Sequence, residues 1–190
     1  MKLFVYEHIT SGALAEQKLP PTLAKEGDQM VMAVLEDSHA TQQCSLMTLR
    51  DKRLNKLDLF EKNDQHHCHT VTTLNDYHQA WEQHLQRCDA ILIIAPETDN
   101  TLAMLQQQAA DAGKMLLGCQ PTTIQLCSDK LHCYQHLVQT GIPTITTQLA
   151  SKWHVPSANP QNGFILKPRD GAGCINTTYF KSTTDLQKSL

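Results

Sequence analysis

The chain predicts an α/β fold, a parallel sheet with helices on both faces, followed by a smaller region of different texture. Three observations predict it. Strand-like and helix-like stretches alternate as far as Gly118, the pattern of β-α-β units. The run Ala90–Ala95 is apolar at every position, as a strand covered on both faces is. After Gly118 the alternation gives way to short helices, a Gly-Ile-Pro break and a polar Pro/Asn-rich stretch, which puts a boundary near residues 118–121.

Each element has its own signal. Lys2–Tyr6 is a β-branched and aromatic run, hence a first strand. Leu23, Gly27, Met30, Val31, Val34 and Leu35 recur at helical spacing and predict one buried stripe. Ser45–Leu49 reads as a second strand and Val71–Leu74 as a weaker third. Tyr77–Arg87 reads as a helix, with Trp81 and Leu85 one turn apart. Asp89–Ala95 is the strongest strand; Thr101–Ala112 is a helix stopped by Gly113, and Leu116–Leu117 a short strand. Pro121–Leu126 predicts a short helix, and Ser128 a cap for another that runs to Gln139 and ends at Gly141-Ile142-Pro143. Ile145–Leu149 reads as a strand and 150–163 as an exposed loop. Phe164–Lys167 and Ile175–Phe180 flank a small-residue loop as a hairpin-like pair, and Thr183–Leu190 begins a helix.

Composition narrows the function. A length of 190 residues suits one large domain, or one domain plus part of another. A net charge of −3, with four Phe, four Tyr and two Trp, gives neither a basic field nor stacking platforms, so nucleic acid is not an expected partner. The most apolar run, Ala90–Ala95, is too short to span a bilayer, and Met1–Tyr6 lacks the form of a signal peptide. Seven scattered cysteines, an odd number, suit a reducing cytoplasm better than a disulfide framework.

Two features carry chemistry. In Lys167-Pro168-Arg169-Asp170-Gly171-Ala172-Gly173-Cys174 an apolar strand stops at a lysine and a small-residue loop opens. Such a loop lets backbone N–H groups approach phosphate oxygens while the lysine supplies a point charge. It also fits a tight hairpin turn with an exposed lysine. It is neither a Walker A loop nor a dinucleotide fingerprint, since no Gly-Lys-Ser/Thr follows and Asn176 stands where a third glycine would be. The second feature is Cys127-Ser128-Asp129-Lys130. A lysine in the first turn of a helix opposes the helix dipole, which is costly unless an anion lies beside it or solvent screens it.

In their order these features resemble the first half of an ATP-grasp nucleotide site, where two lysines of the first lobe hold the ATP phosphates under a flexible Gly-rich loop. The opening Lys2–Gly12 is similar to the N-terminal strand and loop of an ATP-grasp family that includes the tyramine–glutamate ligase of methanofuran biosynthesis. Ile94-Ala-Pro-Glu97-Thr-Asp99, Leu117-Gly118, Ser128-Asp-Lys130, Gly141–Pro143 and Lys167–Gly173 are similar to that family's landmarks, in the same order. The resemblance implies a Rossmann-like pre-ATP-grasp domain over 1–119, and over 120–190 an incomplete first lobe, part of an α+β ATP-grasp domain. It implies an ATP-dependent carboxylate–amine ligase that forms an acyl phosphate and joins glutamate to an amine, with ATP and Mg²⁺ as cofactors. Lys130 and Lys167 would carry the phosphate charge, and Arg169, Asp170, Gly171, Ala172 and Gly173 would form the loop over it. Glu7, Ser11, Gly12 and Glu97 would meet substrate or an adjoining domain; for Glu7 and Glu97 a capping or solvated carboxylate is the alternative. No catalytic residue is assigned within the chain.

Ser11-Gly12-Ala13 is poorer in glycine than the resemblance leads one to expect, and Cys174 replaces a further glycine. Family Mg²⁺ ligands, acidic residues and an asparagine, are expected beyond Leu190. The chain therefore reads as a piece of a longer protein, expected to bind nucleotide weakly, not to turn over alone, and to be able to self-associate into a homo-oligomer.

Other clusters carry less. His66-His67-Cys68-His69 could catch a metal ion, but consecutive positions do not close a tetrahedral site, and an exposed polar loop is the expectation. His132 and His136 share a helix face without a zinc-protease glutamate, and Cys119 and Cys127 read as small buried hydrophobes. A nucleotide- or metabolite-binding Rossmann-like module without chemistry is the main alternative function, and a histidine-based metal-binding protein the third.

Overall fold

The computed structural model describes residues 1–61, 63–154, 162–171 and 173–190. They form two compact units. The first comprises Met1–Pro96 with Thr101–Pro121, the second Glu97–Asn100 with Thr122–Leu190.

The first unit is a five-stranded parallel sheet. Its strands are β1 (Lys2–Glu7), β2 (Ser45–Asp51), β3 (His67–Val71), β4 (Ala90–Ile94) and β5 (Met115–Leu116), in the order β3-β2-β1-β4-β5. The helices are α1 (Pro21–Ala40), the single turn α2 (Asp58–Glu61), α3 (Leu74–Arg87) and α4 (Thr101–Asp111). β1 lies at the centre, and strand periodicity divides its side chains between two cores. Leu3 and Val5 pack with Val31 and Leu35 of α1 and with Leu57. Phe4 and Tyr6 pack with Tyr77, Trp81 and Leu85 of α3 and with Leu105 and Ala109 of α4. Helices therefore cover both faces, and the α/β class expected from the alternation is the observed one.

Three elements differ from the sequence expectation. The third strand is His67–Val71, not Val71–Leu74. Helix capping claims the later residues: the Thr73 hydroxyl accepts the Asp76 N–H at 3.1 Å, and the Asp76 carboxylate accepts the Thr72 N–H at 2.7 Å. His67 and His69 are thus strand residues, not part of a polar loop. In α1 the buried stripe is Ala24, Gly27, Val31 and Leu35, while Leu23 and Met30 are half exposed. Residues 145–149 form no strand, and Ile145 is 86% exposed; strand-like composition does not make a strand without a ladder partner.

The second unit contains α5 (Pro121–Ser128), α6 (Lys130–Gln139), an antiparallel pair β6 (Phe164–Leu166) and β7 (Thr178–Phe180), and α7 (Thr183–Ser189). Half of the loop expected over 150–163, residues 155–161, lies outside the described residues. Gly141 takes φ +74° and ends α6, with Ile142 N–H donating to the Leu137 carbonyl at 2.9 Å and Gly141 N–H to Val138 at 3.1 Å. This is the Schellman closure that the Gly-Ile-Pro break predicts. The N-cap of α6 is Asp129, not Ser128, whose hydroxyl donates back to the Ile124 carbonyl at 2.7 Å. Cys119 and Cys127 are exposed, so neither is the core residue expected of it.

Candidate functional site

The small-residue loop starts where β6 stops. Lys167 follows directly, is exposed, and has no hydrogen-bond or ion-pair partner among the described residues. Beyond it the chain is tied to the start of α6. The Arg169 carbonyl accepts the Lys130 N–H at 3.1 Å. The Arg169 guanidinium grips the Asp129 carboxylate at 2.6 and 2.7 Å, and its Nη2 lies 3.3 Å from His132 Nε2. Asp170 accepts the Asp99 N–H at 2.9 Å and the Gly171 N–H at 2.6 Å. The Lys130 ammonium donates to the Gly171 carbonyl at 2.6 Å.

Backbone conformation explains the glycines. Gly171 has φ +110° and Gly173 +69°, and Cys174 and Asn176 also take left-handed values of +57° and +54°. A side chain at 171 would be strained; Cys174 accepts that strain where a further glycine would not. Ala172, expected in the same loop, lies outside the described residues.

The electrostatics of the helix start follow from the same contacts. Asp129 caps α6 by accepting the Leu131 and His132 N–H groups, each at 3.0 Å. The hydrogen bond from Arg169, helped by the helix amides, lowers its carboxyl pKa to about 2, so it is ionised throughout the physiological range. The lysine that opposes the helix dipole therefore has an anion beside it and a carbonyl on its ammonium. Asp129, Asp99 and His132 were not anticipated as members of this cluster. Aspartate and serine are equally good caps and stand side by side here, so residue type alone does not choose Asp129.

A second cluster stands at the carboxyl end of β1, within the first unit, where open α/β sheets place ligands. Glu7 is 3% exposed, and its carboxylate accepts the Ile9 N–H at 3.1 Å and both the N–H and hydroxyl of Thr10 at 2.7 Å. Ser11 is buried; its hydroxyl donates to the His8 carbonyl at 3.0 Å. Gly12 takes φ +92°, and a Cβ there would lie 2.4 Å from Val71 Cγ1. Glu7, Ser11 and Gly12 thus organise their own loop. Beside them the Tyr6 hydroxyl lies 2.8 Å from that of Tyr77 and 2.9 Å from His8 Nδ1, and burial lowers the His8 pKa. Glu97, after β4, is exposed.

A cavity of about 660 Å³ opens in the first unit, lined by Asp28, Met32, Glu36, Arg50 and Leu57 among others. None of the sequence-predicted residues lines it. Arg50 is its buried charge, paired with Asp28 and donating from Nε to the Asn55 carbonyl at 2.9 Å.

Residues 44–124 match the family model of the pre ATP-grasp 3 domain. The first unit has the pre-ATP-grasp fold. The chain is also similar to the crystal structure of a protein from Archaeoglobus fulgidus described as a provisional ATP-grasp superfamily member. The TM-score is 0.59 and the identity 22%, over 95% of this chain and 49% of that one. At that identity the likeness shows the fold. The chain spans about half the length of the solved protein it matches. No curated protein matches the sequence.

The fold family implies Mg²⁺. Among the described residues no group of three His, Cys, Asp or Glu side chains is arranged to hold a metal ion, and Asp129 and Asp170 are committed to Arg169 and to backbone N–H groups. The described residues do not fit the ion. No helix among them is long and apolar enough to cross a membrane.

Proposed function

We propose that the chain is the pre-ATP-grasp domain and part of the first nucleotide-binding lobe of an ATP-dependent carboxylate–amine ligase. The observation that carries the reading is the gathering of Lys130, Arg169, Asp170 and Gly171 at the start of α6, one strand-end away from the free ammonium of Lys167. A loop with left-handed glycines and two lysines is equipped to accept a polyphosphate. Phosphate oxygens would displace the Gly171 carbonyl from Lys130, and Lys167 would supply the second charge.

The chemistry of such a ligase needs that arrangement. A carboxylate oxygen attacks the γ-phosphorus, the bond from that phosphorus to the bridging oxygen breaks, and ADP leaves. The amine nitrogen then attacks the acyl carbon; phosphate leaves with the C–O electron pair, and the nitrogen gives up a proton. Charge neutralisation and alignment of the reacting oxygens supply most of the acceleration, which is what fixed lysines contribute. Glutamate as the acid, a small amine as its partner and a role in C1-carrier cofactor biosynthesis follow from the family resemblance.

The test is hydroxylamine trapping. The full-length protein with ATP and glutamate is expected to release ADP and form a glutamyl hydroxamate, and Lys167→Ala to abolish both. Nucleotide binding without hydroxamate for any carboxylate would favour a second reading, a nucleotide- or metabolite-binding module, which the cavity beside Arg50 supports.

A further inference from the structure

The sheet of the first unit leaves a backbone donor at the open end of its β2–β3 ladder, and a histidine side chain takes it. Ser45 N–H donates across to β1, to the Met1 carbonyl at 2.9 Å. Strand geometry therefore turns the next donor, Leu46 N–H, towards β3, whose register with β2 begins only at Met47 and His67. His66, the residue before β3, fills the gap: its Nδ1 accepts the Leu46 N–H at 3.2 Å. Its other nitrogen, Nε2, lies 2.8 Å from Nδ1 of His39 in the last turn of α1. Phe60 packs on the same ring, with centroids 5.8 Å apart.

The backbone fixes each proton in this chain of bonds. A backbone N–H only donates, so His66 Nδ1 bears a lone pair and the proton of the neutral ring is on Nε2. Nε2 therefore donates to His39, whose Nδ1 accepts and whose own proton is on Nε2. Asn63 Nδ2, 3.4 Å from His66 Nε2, is too distant to compete. A proton added to His66 lands on Nδ1 and points at the Leu46 N–H. One added to His39 lands on its Nδ1 and meets the His66 N–H. Each addition breaks one of the two bonds.

We propose that the His39–His66 pair is an acid-released latch, tying the end of α1 to β2 and to the start of the edge strand β3. It holds while both rings are neutral and opens when either takes up a proton. Among the described residues neither ring has a carboxylate as a hydrogen-bond or ion-pair partner to favour its charged form. Asp28 and Glu36 of α1, Arg50 of β2, and Lys56 and Asp58 beyond it line the same cavity as His39, and Lys56 is paired with Glu61. The Cys44 and Cys68 thiols pack in the adjoining core. Burial, and then the charge of His39, lower the His66 pKa, against a smaller contrary pull from the Gln65 backbone. The folded ring thus refuses a proton that the unfolded one accepts, so the latch is fully made above pH 6.5 and is lost as pH falls. His39 and Asn63 are part of the cavity wall, and release loosens that wall.

The test is ¹⁵N NMR of the histidine rings, with amide hydrogen exchange between about pH 7.5 and about pH 5.5, either side of the ordinary histidine pKa. At the upper end both rings are expected as the Nε2–H tautomer. Protection of the Leu46 amide, divided by that of Val5 in β1 to remove global unfolding, should fall about tenfold or more across the window, as uptake of one proton requires. His66→Gln puts a non-titrating amide in place of the ring. Its Leu46 protection relative to Val5 should be flat with pH, with the circular dichroism unchanged. An Nδ1–H tautomer of His66 at the upper end, Leu46 and Val5 falling in parallel, or an unaltered pH response in His66→Gln overturns the latch.

Discussion

Gly27 has no room for a methyl group. A Cβ there would fall 2.5 Å from Glu7 Oε2, on a carboxylate held in place by three hydrogen bonds from Ile9 and Thr10. Gly27→Ala is therefore expected to destabilise the first unit by about 1–3 kcal/mol, read as a lowered urea midpoint. His84 makes a pH-dependent contribution of definite sign. Burial lowers its pKa from 6.5 to about 4, so between these values the unfolded chain binds a proton that the folded one refuses. The stability it supplies is complete above pH 6.5 and is lost as pH falls towards 4. Urea midpoints measured across that window should drop with acid, and His84→Gln should flatten the slope. A slope unchanged in that variant would mean that other groups, such as His8 or His67, dominate.

Helix α6 shows how an element makes a site. Its cap, Asp129, satisfies two orphan N–H groups and anchors Arg169, so one side chain joins helix and loop. Asp129→Ala should cost about 1 kcal/mol, as lost caps do, and should raise hydrogen exchange at Leu131, His132 and Gly171 together. Exchange confined to the helix start would show that the loop does not depend on the cap. Much of this element was readable beforehand. The Gly-Ile-Pro stop, the lysine at the helix start and the glycine loop all obey local rules of backbone geometry. The choice of Asp129 over Ser128 was not, because two adjacent good caps are separated only by where the preceding helix ends. β3 was misplaced for a related reason: Thr72 and Thr73 have strand composition, but Asp76 recruits them as a cap. The approach of His84 to His67 and His69, with ring centroids 5.3 and 6.0 Å away, depends on β3 packing against α3, a tertiary relation that no sequence spacing states.

In the whole molecule the apolar burial is uneven. Among the described residues the buried apolar side chains belong to the first unit with few exceptions; Ile124 and Leu186 are those of the second, where Ile145, Ile165 and Ile175 are exposed. Opening free energies should follow. Native-state hydrogen exchange is expected to be slowest in β1 and β4 and faster in α6 and the β6–β7 pair, through openings below the global unfolding energy. Equal protection in both units would contradict this. Binding of a polyphosphate should then raise protection in the second unit, since a ligand stabilises the state that binds it. The central claim is that Lys130 and Lys167 serve the same polyphosphate. Its most direct measurement is the affinity of ATP for this chain by calorimetry, beside Lys130→Ala and Lys167→Ala. The account predicts that each substitution weakens binding at least about tenfold, or roughly 1.4 kcal/mol, with the fold unchanged. Wild-type affinity in either variant would contradict it.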